Sequence, residues 1–180
     1  MKHIQKYYSY IGRLSRKRWT WLVLLALVLF FNFVIFPLLV PSKQEKLLDT
    51  RLHYTSRDVS QYLATLNSTR KIRSLIFHTT ADILYPVIYT LFFSVLFYLT
   101  GSRHRKLFVL IPLTIFTFDL LENSGIVFLV AVSQTGGALY KSVITVTPLF
   151  TTAKWVCTGI TVITLLFMLM KKGIRFFILK

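Results

Sequence analysis

The chain has 180 residues, of which 54% are hydrophobic and only 16% are charged. About a quarter of the residues in a soluble domain are charged, so this composition indicates a membrane protein with one small helix bundle. The net charge of +16 is high enough to suggest a nucleic-acid partner. The basic residues lie beside apolar runs, however, where anionic lipid headgroups are the natural counter-charge. We therefore predict that the chain contacts the lipid bilayer and binds no nucleic acid.

Residues 1–21 mix basic side chains with tyrosines and tryptophans. Aromatic rings prefer the headgroup level, and cations prefer an anionic leaflet. This pattern predicts an interfacial anchor that contacts anionic lipids. The apolar run that follows is too long for the core of a signal peptide and lacks a small-residue cleavage site, so we expect it to stay in the protein.

Four apolar runs predict transmembrane helices at about residues 19–40, 74–100, 107–132 and 147–170. Each run is longer than the about 20 residues that a helix needs to cross the hydrocarbon. None of them alternates polar and apolar residues as a barrel strand would. The predicted fold class is all-α, a bundle of four transmembrane helices forming a single domain over residues 1–180.

The first loop, residues 41–73, is the one sizeable polar segment. Val59 and Leu63 have helical spacing in it, and Thr55 with Asp58 forms a plausible capping box. We predict a short amphipathic helix that lies on the outer surface or caps the bundle.

Lys and Arg residues predict the orientation in the membrane. The N-terminal arm has six, the second loop three and the C-terminal tail four, whereas the 132–146 loop has only Lys141. This distribution predicts that both termini are cytoplasmic and that the first loop is extracytoplasmic. The first loop carries seven basic residues, which argues against this orientation.

Three of the six acidic residues lie inside the apolar runs. A charge at the centre of the bilayer costs about 2.5–3.5 kcal/mol, so these residues should face one another in the bundle. Counting from the predicted outer helix ends at about 1.5 Å per residue puts polar residues of all four helices in one layer of the outer half. The candidate polar cluster is Asp82, Asp119, Glu122, Asn123, Lys154, Asn32, His78, Tyr85 and Tyr89.

The contacts within this cluster follow from spacing and depth. His78, Asp82, Tyr85 and Tyr89 form one stripe of the second helix, and Pro86 should free a backbone carbonyl near Asp82. We expect Asp82 and Glu122 to lie close enough to share a proton, a water or an ion. Lys154 is the expected counter-charge, although it could also extend outward to the interface.

A divalent cation is a weaker possibility, with His78, Asp82, Asp119 and Glu122 as candidate ligands. The spacing fits, but only one histidine is available. The non-functional alternative is a hydrogen-bonded clamp that holds the bundle together.

The segments "TTADILYPVIY" and "FDLLEN" resemble a pattern in small, uncharacterised bacterial multi-pass proteins. In that pattern a helix with aspartate, proline and tyrosine precedes a helix with aspartate, glutamate and asparagine. The matching positions are Asp82, Pro86 and Tyr89, then residues 119, 122 and 123. The resemblance implies a bacterial cytoplasmic (inner) membrane and supplies no activity.

Three functions are compatible with these features. The buried acids could bind a small ligand, a cation, a proton or a lipid headgroup, and four helices would then favour a homo-oligomer or a membrane partner. The protein could instead be a membrane-embedded enzyme acting on a lipid or isoprenoid. It could also be a structural subunit of a membrane complex. No established catalytic motif is present, so whether the protein is an enzyme stays open.

Overall fold

The computed structural model describes residues 2–39, 48, 51–101, 104–132 and 137–178, with the side chains of 173–178 excepted. Four stretches of these residues are long and apolar enough to cross a membrane, as the predicted all-α four-helix class requires. The helices are α1 (Lys2–Ser15), α2 (Thr20–Leu39), α3 (Ser56–Thr65), α4 (Ser68–Thr79), α5 (Ala81–Leu99), α6 (Arg105–Phe108), α7 (Ile111–Ala131) and α8 (Ala138–Ile178).

The second and fourth spans are longer than predicted. The second begins at Ser68 because the Asn67 side chain accepts a hydrogen bond from the Arg70 backbone N–H at 2.9 Å, a standard N-cap. The fourth begins at Ala138 and has 41 residues. Hydropathy marks the part of a helix that suits lipid, whereas backbone hydrogen bonds continue into its polar ends. The helices therefore extend beyond the predicted starts at 74 and 147 and the predicted end at 170.

Helix α3 confirms the predicted amphipathic helix and its capping box. The Thr55 side chain accepts from the Asp58 backbone N–H, and the Asp58 carboxylate accepts from the Thr55 backbone N–H at 2.7 Å. The Thr55 hydroxyl also donates to this carboxylate at 2.6 Å, and that bond, with the backbone bond, holds the pKa of the Asp58 carboxyl below its usual value. Val59 and Leu63 are buried in an apolar cluster with residues of α7 and α8, including Ile126. Helix α3 therefore caps one end of the bundle.

The N-terminal arm, predicted as an anchor, folds into helix α1 and packs on the opposite end of the bundle. Ile11 is fully buried in a second apolar cluster that includes Val95 of α5 and Val109 at the start of α7. The Tyr7 hydroxyl lies 2.8 Å from Ser94 Oγ, and burial raises the pKa of Tyr7 above its ordinary value. Tyr7 is thus a neutral hydrogen-bonding group that fixes α1 to α5.

Helix α2 lies at the periphery. Only 11% of its most apolar stretch is buried, compared with 44% of the corresponding stretch in the span Arg105–Ala131. Its middle, Phe31–Ile35, is a π-helical segment. Phe31 and Phe36 pack against the Tyr85 ring of α5, at centroid distances of 5.7 and 4.9 Å. The core of the bundle is therefore formed by the second, third and fourth spans.

A candidate binding site among buried charges

The candidate site lies between the two apolar clusters. The cluster under α3 uses the end of α7 and the start of α8, whereas the cluster under α1 uses the opposite ends of both helices. The segments between them carry the polar residues of the bundle. The fold therefore places these residues in a layer with apolar packing above and below.

Lys154 forms the centre of this layer. Its Nζ lies 3.1 Å from Asp119 Oδ1 and 2.6 Å from Glu122 Oε2. Lys154 is 9% exposed, Asp119 4% and Glu122 0%. Lys154 is therefore the counter-charge that the sequence predicted, shared between two carboxylates of α7, and it does not extend to the interface.

Three hydroxyl groups also approach the two acids. Tyr89 of α5 donates to Asp119 Oδ2 at 2.7 Å. Thr151 of α8 donates to Glu122 Oε1 at 2.5 Å, and the Tyr54 hydroxyl approaches the same oxygen at 3.4 Å. These donors join α5, α8 and the segment before α3 to the acids of α7.

Asp82 occupies a second polar region, at a break in the second span. Helix α4 ends at Thr79, and Thr80 has φ −122° and ψ −84°, outside the helical range. Asp82 Oδ2 lies 2.8 Å from His78 Nδ1, four residues earlier. Pro86 lacks the N–H that would bond the Asp82 carbonyl. Asn123 supplies the missing donor, with its Nδ2 at 2.9 Å from that carbonyl oxygen.

The predicted contact between the Asp82 and Glu122 carboxylates stays a prediction, because the contacts described for them give each a different charged partner. The Asp82 carboxylate pairs with His78, and the Glu122 carboxylate pairs with Lys154. The reason is local: the histidine lies one turn away on the same stripe, so it reaches Asp82 before any residue of α7 does. The two regions are joined through Asn123, the residue next to Glu122.

Asn32 and Tyr85 lie at the border of the layer. Asn32 Nδ2 donates to the Tyr85 hydroxyl at 2.7 Å and to the Val28 carbonyl at 2.8 Å, and its side chain is exposed on the π-helical segment of α2. The Tyr85 ring contacts the Tyr89 ring edge-on at 5.3 Å. Asn32 therefore reaches the buried acids only through two tyrosines.

Sequence reasoning missed two of the acid-binding residues. Thr151 belongs to a threonine stripe typical of helix packing, and its spacing gave no sign of a carboxylate partner. Tyr54 lies 68 residues from Glu122 in a loop, where no periodicity fixes the direction of a side chain. An aromatic residue directly before a capping box was the one available signal.

The predicted metal ligands are not brought together as a group. Among the residues that the structure describes, no three His, Cys, Asp or Glu side chains are placed to hold a metal ion. The Lys154 ammonium occupies the position between Asp119 and Glu122 that a cation would need. The arrangement is better suited to protons than to a divalent ion.

These features define a helical protein whose four apolar spans fit a multi-pass membrane protein, with charged groups buried between the spans. Comparisons with protein-family models, with curated proteins and with solved structures gave no match to this chain. The functional argument therefore rests on the site itself.

Proposed function

We propose that this is a multi-pass membrane protein whose buried layer binds and releases a proton. The observation that carries the proposal is the sharing of one ammonium, Lys154, between two buried carboxylates, Asp119 and Glu122. With all three groups ionised, the cluster has a net charge of −1 in an apolar setting. A single added proton makes it neutral, which removes the cost of burying the unbalanced charge.

The surroundings of the cluster support proton exchange. Protons move between groups that are connected by hydrogen bonds, and the acids are bonded to hydroxyls of Tyr89, Thr151 and Tyr54. Tyr54 belongs to the segment that enters α3, so it connects Glu122 to the capped end of the bundle. In addition, Asn123 Oδ1 is a buried acceptor without a hydrogen-bond partner among the described residues. A water or a protonated small ligand would satisfy it.

The location of the protein is part of the proposal. We place it in a cytoplasmic (inner) membrane with both termini cytoplasmic. The basic residues of different segments meet at one end: the Arg105 guanidinium lies 6.0 Å from the Tyr8 ring centroid, and Lys172 donates to the Leu99 carbonyl at 2.7 Å. Such a concentration of cations is typical of the cytoplasmic side.

Infrared difference spectroscopy of the protein in lipid nanodiscs tests the proposal. We expect a protonated carboxyl C=O band that disappears as the pH is raised from about 5 to 9. Asp119→Asn or Glu122→Gln should remove or shift the band, because each eliminates one carboxylate of the cluster. Asp58→Asn, which removes an acid of α3, is the control and should leave the band unchanged. A cluster that stays fully ionised throughout this range would contradict the proposal.

The same experiment separates the structural alternative. The buried acids have described partners, an arrangement that a clamp in an assembly subunit would also have. A clamp requires one fixed protonation state, so its carboxyl band would not change with pH while the protein stays folded. A membrane-embedded enzyme and a homo-oligomer remain predictions of the sequence, to which the described contacts add nothing.

A further inference from the structure

Helix α1 has one face fixed to the bundle. Tyr7, Tyr8 and Ile11 point toward α5, where Tyr7 contacts Ser94 and the Tyr8 ring lies 5.4 Å from another tyrosine ring. At Gly12 an added Cβ would meet the Tyr98 hydroxyl at 3.0 Å, so the two helices are in close contact there. The opposite face of α1 therefore has a fixed direction.

That opposite face is cationic. Lys2, Lys6 and Arg13 are exposed and line an open groove on α1, together with Gln5, Ser9, Tyr10 and, at its border with the bundle, Tyr7. No acidic residue occurs anywhere in the first 44 positions of the chain. The groove therefore combines three positive charges with neutral hydrogen-bonding groups, and no carboxylate of its own segment competes for them.

Further cations reinforce this end of the bundle. Arg105 lies over the Tyr98 ring at 5.1 Å, and Lys106 lies over the Tyr8 ring at 5.8 Å. Both cations lie over aromatic rings that fix α1 to α5, so they add positive charge close to α1. The exposed basic residues at positions 16–18 extend the charge to the start of the first span.

We propose that the outer groove of α1 binds the headgroups of anionic phospholipids, whose negative charges are balanced by Lys2, Lys6 and Arg13 along the helix. Charge complementarity identifies the partner class, since a lipid leaflet is the anionic surface that meets the end of a membrane-spanning bundle. Tyr10 suits the headgroup level through its ring and hydroxyl. This site is separate from the proton site, and neither proposal depends on the other.

Native mass spectrometry of the full chain, released from detergent with defined lipids, tests this site. The probes are phosphatidylglycerol and phosphatidylcholine with identical acyl chains. We expect the wild type to retain phosphatidylglycerol preferentially. The variant with Lys2→Gln, Lys6→Gln and Arg13→Gln should lose about 100-fold in apparent affinity for it at low salt, because each of the three cations near an anionic surface contributes about fivefold.

The matched control removes the same charge from the other end, with Arg57→Gln, Arg70→Gln and Arg73→Gln. Thermal unfolding of both triple variants checks that each is folded. Loss of phosphatidylglycerol selectivity in the α1 variant alone supports the site. Equal losses in both variants would show an effect of net charge and overturn the proposal, as would a wild type that binds the two lipids equally.

Discussion

The two buried acid regions of this protein are built in different ways. Asp119 and Glu122 of α7 are paired with Lys154 of α8, which lies 35 residues after Asp119. This contact exists only when the two helices pack against each other. Asp82 is paired with His78 of the preceding turn, beside a break that the same span creates. The first region therefore ties helix packing to charge balance, whereas in the second the charged pair lies within one span and only the Asp82 carbonyl depends on another helix, through Asn123.

The comparison predicts the largest effect at Lys154. Lys154→Met should lower the free energy of unfolding by about 3–5 kcal/mol, because it leaves two buried carboxylates without their cation. Chemical unfolding in mixed micelles measures the change. Lys141→Met, at an exposed position of the same helix, is the control. A Lys154→Met protein as stable as this control would mean that the acids are already neutral, and the difference between the two regions would disappear.

An intermediate effect is expected at Pro86, where the Asp82 carbonyl lacks its helical donor. Asn123→Leu should cost about 1–3 kcal/mol, because it removes the donor to the buried Asp82 carbonyl. In a Pro86→Ala background the residue at position 86 regains its N–H and can bond that carbonyl itself, so the same substitution should cost less. The double-mutant cycle measures this coupling. Equal costs in the two backgrounds would show that Asn123 does not replace the hydrogen bond that the missing Pro86 N–H would make to the Asp82 carbonyl.

The smallest effect is expected at the link between α5 and the charged cluster. Tyr89→Phe should cost about 1 kcal/mol, because Asp119 loses one hydrogen bond but keeps Lys154. Unfolding in the same micelles is the measurement, and Tyr10→Phe, at an exposed position of α1, should be neutral. A loss as large as that of Lys154→Met would assign Tyr89 a central part in the charge balance.

The sequence was sufficient for the fold class and for the charged members of the polar layer. Length and hydropathy identify spans, and the cost of burying charge requires acids such as Asp119 to face a cation such as Lys154. It was insufficient for pairing, because depth counts are uncertain by about one turn, and one turn decides whether Asp82 meets His78 or Glu122. Tyr54 was inaccessible to any such count, since its direction is set by the docking of α3.

The length of α8 has a mechanical consequence. Its 41 residues extend for about 60 Å, whereas the hydrocarbon that a helix must cross is about 30 Å thick. Even the steepest usual tilt, about 40°, leaves about 20 Å of it outside the hydrocarbon. The helix that carries Lys154, which also contains Pro148, is therefore longer than the hydrocarbon and extends beyond it. A small rotation of α8 at Lys154 would displace the part of the helix that lies outside the hydrocarbon.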